Sequence, residues 1–105
     1  MVRMRTVFTI VSFLIFTNLS AQFKVRGIVY DHEGNTMPGV NVVEAGKELT
    51  VTDADGKFSV ICRSENSVLN FSFISFLSQD VEVNGRDSLT VYLQLDSVQL
   101  SEQIF

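Results

Sequence analysis

Four side chains in this 105-residue sequence carry groups that catalysis or metal binding commonly recruits: His32, Cys62, Asp53 and Asp55. A cysteine nucleophile needs a base within hydrogen-bond reach, and His32 is the sole histidine. It lies in the polar stretch Asp31-His32-Glu33-Gly34-Asn35, which reads as a solvated turn. One histidine and one cysteine do not make a typical zinc set. Cys62 shares a strand face with Phe58 and Val60, so it is expected to be a buried, inert thiol. Asp53 and Asp55 raise the question of calcium. A calcium loop of the EF-hand type needs glycine at its sixth position and glutamate at its twelfth. Counting from Asp53, glycine comes fourth (Gly56) and Ser64 stands at the twelfth. Asp and Gly are instead expected to shape a hairpin turn between Thr52 and Phe58. These residues therefore predict no catalytic, cofactor or metal site, and no enzyme.

The N-terminus bears on compartment. Arg3 and Arg5 precede an apolar run from Val7 to Phe16, and Thr17-Asn18-Leu19-Ser20-Ala21 is short, small and polar. That order predicts a secretory signal peptide over residues 1–21, with cleavage after Ala21. The apolar core is shorter than the ~20 residues that a membrane-spanning helix needs. Loss of the two arginines takes the net charge from −4 to −6. An acidic chain is a poor match for nucleic acid, which calls for a basic face. With one cysteine, the exported chain has no internal disulfide and must fold on its core alone.

Beyond residue 21, turn signals recur every ~8–12 residues between short alternating or β-branched segments, the pattern of an all-β sandwich or barrel. Strands are expected at Gln22–Asp31, Val40–Ala45, Leu49–Thr52, Lys57–Cys62, Val68–Ile74, Gln79–Val83 and Ser88–Leu95. Gly46 to Glu48 interrupts the pattern, and Asn84-Gly85 signals a hairpin. The core faces read Val25 and Val29; Val40 and Val42; Phe58 and Val60; Leu69, Phe71 and Phe73; and Leu89, Val91, Leu93 and Leu95. Seven short antiparallel strands predict an immunoglobulin-like sandwich over residues 22–95. Residues 96–105 mix polar with scattered apolar groups and are expected to form a flexible tail without a partner inside the domain.

Four segments resemble carboxypeptidase regulatory-like domains. Val25-Arg26-Gly27-Ile28-Val29-Tyr30-Asp31 followed by Gly34 is similar to their G-x-V-x-D-x-x-G opening. Met37-Pro38-Gly39-Val40-Asn41-Val42 resembles L-P-G-V-N-V, and Thr52-Asp53-Ala54-Asp55-Gly56-Lys57-Phe58-Ser59 resembles T-D-x-D-G-x-F-S. Leu69 to Phe76 is similar to L-x-F-S-Y-I-G-Y, with Ser75 at the usual glycine; Glu48-Leu49 stands where a G-T pair is usual. The resemblance implies a transthyretin-like seven-stranded β-sandwich, non-catalytic, of the type that precedes the plug of TonB-dependent outer-membrane receptors. It implies a periplasmic location and a TonB-type protein partner. Leu100-Ser101-Glu102-Gln103-Ile104-Phe105 sits where such receptors carry an energy-coupling segment reading like L-x-E-V-V-V, with Gln103 interrupting it. A carbohydrate-binding module at the cell envelope is the alternative. Against it, the chain has no Trp and most of its nine Phe residues are assigned inward.

Overall fold

The computed structural model describes residues 22–97, so the expected signal peptide and all but the first two residues of the expected tail lie outside the described residues. Seven strands follow in chain order: β1 (Phe23–Tyr30), β2 (Asn41–Glu44), β3 (Lys47–Val51), β4 (Lys57–Cys62), β5 (Val68–Ser72), β6 (Gln79–Glu82) and β7 (Ser88–Tyr92). They form two sheets packed as a sandwich, one ordered β4-β1-β7 and the other β3-β2-β5-β6. The all-β, seven-stranded expectation holds.

The core follows from period-two alternation. β4 and β7 bury every second residue: Phe58, Val60 and Cys62 on one, Leu89 and Val91 on the other. Val25 and Val29 enter from β1, Val42 from β2, and Leu69 with Phe71 from β5. Phe58 and Phe71 meet edge to face across the sandwich, their centroids 5.2 Å apart. Phe73 departs from the expected register. β5 stops at Ser72, and Phe73 is only partly buried, turning edge-on to Phe76 at 5.9 Å.

Three pairings differ from the sequence expectation. First, β1 and β7 run parallel, with Gly27 opposite Leu89 and Tyr30 opposite Tyr92, so the sheets are not wholly antiparallel. Second, β3 begins at Lys47, not Leu49, because Ala45 and Gly46 both take positive φ (50° and 79°) and close a two-residue turn. Glu44 then pairs with Lys47. Alanine seldom adopts that conformation, which hid the hairpin. Third, Asn84 and Gly85 do form the expected turn, with φ of 52° and 74° and Arg86 N–H donating to Val83 O at 3.0 Å. Yet β6 and β7 do not pair. β6 joins β5 and β7 joins β1, so the turn hands the chain from one sheet to the other. Gly85 N–H is held by Glu65 O at 2.9 Å, and the Arg86 guanidinium donates to the carbonyls of Glu82 and Val83. Those contacts satisfy the backbone at the crossing, where a hairpin ladder would otherwise have done so.

Candidate functional site

Asp31 and Asp53 occupy two turns of the same build. Asp53 Oδ1 accepts from the N–H groups of Asp55 and Lys57, both at 2.9 Å, while Asp53 O accepts from Gly56 N–H. Asp31 Oδ1 likewise accepts from Glu33 at 2.8 Å and Asn35 at 2.9 Å, while Asp31 O accepts from Gly34 N–H. Each carboxylate thus substitutes for a backbone acceptor and closes its loop. The Asn35 N–H above all holds the Asp31 carboxyl below its usual range; desolvation opposes it, and the Glu33 N–H adds to the lowering. A group depressed in this way stabilises the fold above its unfolded pKa, and that contribution fades as pH falls through the folded value. The Asp53 turn carries a further tie. Buried Thr52 donates its hydroxyl to Met37 O at 2.6 Å and accepts from Val40 N–H at 2.9 Å. It thereby pins the Met37–Val40 loop against the start of the turn.

The structure does not bring His32 and Cys62 together. Cys62 pairs with Phe23 at one end of β1, and His32 follows the other end. At ~3.3 Å per residue the strand keeps them more than about 20 Å apart. His32 lies 3.6 Å from Glu33, and its ring is 6.3 Å from that of Phe76. Burial pushes the Cys62 thiol up, and the charge of Glu44 pushes it further. Glu44 is a buried carboxylate that the sequence reading overlooked; its Oε2 accepts from Arg63 N–H at 3.2 Å. The signal was there, since Glu44 continues the inward register of Val42. Iodoacetamide at about pH 8.5, where an ordinary thiol is half ionised, is expected to leave Cys62 unmodified in the folded chain and to label it in urea. Labelling of the folded chain at the unfolded rate would contradict this burial. Among the described residues, no three His, Cys, Asp or Glu side chains converge.

What the fold does build is a clasp where the chain leaves the sandwich. Leu77 N–H donates to Gln94 O at 2.8 Å, Asp96 N–H donates to Ser75 O at 3.0 Å, and Phe76 bridges Leu95. Asp96, expected to begin an unpartnered tail, is therefore held by the β5–β6 loop. That same loop exposes Ile74 (82%) and Leu77 (51%) beside the exit. Ser75 takes φ 67°, the left-handed conformation that glycine adopts without strain. An L-residue there costs ~1–2 kcal/mol, and glycine returns ~0.5–1 kcal/mol of that in unfolded-state entropy. Ser75→Gly is accordingly expected to stabilise the domain by ~0.5–1 kcal/mol in urea melts. A loss of stability would mean that the loop relies on the serine side chain.

Comparison with known proteins adds identity to this geometry. The family model of the CarboxypepD_reg-like domain matches residues 25–105. A TonB-dependent receptor of Formosa agariphila is 36% identical over 88 residues, covering 83% of this chain and 8% of that receptor. A second TonB-dependent receptor of the same organism is 34% identical over 92 residues, covering 85% of this chain and 9% of its own length. TonB-dependent receptor SusC of Bacteroides thetaiotaomicron is 32% identical over 93 residues, covering 88% of this chain and 9% of its own. The chain spans less than a tenth of the length of these relatives. With the seven-stranded sandwich, the twin aspartate turns and a family match over residues 25–105, this chain belongs to the CarboxypepD_reg-like domain family.

Proposed function

We propose that this chain is an exported, non-catalytic interaction module of the kind carried by TonB-dependent outer-membrane receptors. Residues 1–21 serve as the signal peptide, residues 22–95 as the sandwich, and the segment from 96 as the connection to a periplasmic TonB-type partner. The likeness to three TonB-dependent receptors across more than four-fifths of the chain carries the reading. The clasp at Ser75–Leu77 supports it, because it fixes the point from which the following segment departs. That segment contains Val98, Leu100, Ile104 and Phe105 among polar residues, a composition suited to adding as a strand to a partner's sheet edge. The engagement of the aspartates in turns and the burial of the thiol far from the histidine support a role in binding.

Two measurements test this. Mass spectrometry of protein from the envelope fraction should show a chain beginning near Gln22; an intact Met1 chain recovered from the cytoplasm would overturn export. Amide exchange of the full chain, with and without the periplasmic domain of TonB, should show residues 98–105 gaining protection on mixing. No gain would overturn the coupling role.

A further inference from the structure

The outer face of the β4-β1-β7 sheet has a chemistry unlike the rest of this acidic chain. None of its three strands contains an acidic residue, yet they bring Lys24, Arg26 and Lys57 to one surface. Arg26 stands opposite Ser59 on one side and Ser88 on the other, while Ile28 stands between Lys57 and Thr90. Lys57 and Arg26 are therefore diagonal neighbours, about 7–8 Å apart, and Lys24 lies one pleat beyond Arg26. Among the described residues no carboxylate comes within ion-pair distance of any of the three, the single such pair there being His32 with Glu33. Three unpaired cations held on a rigid sheet repel one another, and an anion seated between them would relieve that repulsion.

Two further features share this face. The strands and the β3–β4 turn enclose a shallow groove of about 820 Å³, with Lys24, Arg26, Lys57 and the hydroxyls of Ser59, Ser88 and Thr90 among its walls, together with Asp53, whose carboxylate already accepts from the N–H groups of Asp55 and Lys57. One pleat past Thr90, Tyr30 and Tyr92 stack at 5.3 Å and 20°, and Tyr92 is 53% exposed. Stacking limits the motion of that ring, so an apolar ligand face could dock on it at little entropic cost. From Lys24 to Tyr30 the face runs about 20 Å along the strand.

We propose that this face binds an acidic oligosaccharide, one bearing carboxylates or sulfates. The cations take the anionic groups, the hydroxyls meet the sugar hydroxyls, and Tyr92 receives the apolar face of a ring. An acidic protein segment would use the cations, but it would have no need of a hydroxyl row ending in a stacked aromatic pair. The inference goes beyond the receptor reading and stands apart from it. The coupling role is tested at residues 98–105, whereas this face is tested by variants on β1, β4 and β7.

The test is calorimetric titration of the full chain recovered from the envelope, using a hexagalacturonate and a heparin-derived hexasaccharide, with maltohexaose and hexaglutamate as comparisons. At least one anionic sugar should bind with Kd below about 1 mM, and more weakly as NaCl rises from about 0.05 to about 0.5 M. Maltohexaose should bind at least about tenfold more weakly. Arg26→Ala combined with Lys57→Ala should weaken binding about tenfold or more without changing the melting temperature, since both side chains are exposed. Tyr92→Ala should weaken it about tenfold or more with only the small loss of stability that its stack on Tyr30 accounts for. The response to each sugar separates carboxylate from sulfate recognition. The proposal is overturned if neither acidic sugar binds, if the charge variants bind as the natural chain does, or if hexaglutamate binds equally well and Tyr92→Ala has no effect. That last result would make the face a docking surface for acidic peptide.

Discussion

Phe71→Ala is expected to cost ~3–5 kcal/mol, most of the stability of a domain this small. Phe71 is fully buried on β5, and its ring meets Phe58 on β4 edge to face at 5.2 Å. The contact joins the two sheets at mid-sandwich. Truncation therefore removes transferred apolar area, an aromatic pair and the filling between layers together. The strands on either side are tied by backbone ladders, so the cavity can collapse only partly. Urea denaturation would show a lower midpoint with unchanged slope. A loss under about 1 kcal/mol would place Phe71 off the core face and undo the β5 register.

Gly27→Ala should be comparably severe, at about 3 kcal/mol or more, by the opposite mechanism of overpacking. Gly27 lies on the inward side of β1 between Val25 and Val29. A Cβ there would sit 2.2 Å from Leu89 O and within 2.8 Å of two Phe58 ring atoms. The phenyl ring can swing aside, but the carbonyl belongs to the parallel β1–β7 ladder and cannot. Adding Phe58→Leu to Gly27→Ala should hence recover only a fraction of the lost stability. Full recovery in the double variant would show that the ring, and not the strand pairing, excludes the methyl group.

Much of the fold was legible because burial in a sandwich repeats every two residues. Phe58 and Val60, Leu69 and Phe71, and Leu89, Val91 and Leu93 all took their expected faces. The aspartate turn was legible too, since its hydrogen bonds run between Asp53 and residues two to four positions away. Thr52 was not. Its partners at Met37 and Val40 lie 15 and 12 residues back, and nothing local marks its hydroxyl as the pin of that loop. Phe73 went astray because alternation says which side a residue takes but not where the strand stops.

The sequence by itself determined the strand count, most core faces and the Asp53 turn, which rest on period-two patterning or on contacts within a few residues, while the family likeness rests on the resemblance of four segments. Only the tertiary structure decided that β7 lies parallel to β1, that Asn84-Gly85 changes sheets, and that Ser75 grips Asp96. It alone brought Lys24, Arg26 and Lys57 onto one face with Tyr30 and Tyr92. Pairing between distant strands depends on which edges are left unsatisfied once the core has closed. That outcome is a property of the whole assembly, and no segment of the chain carries it alone.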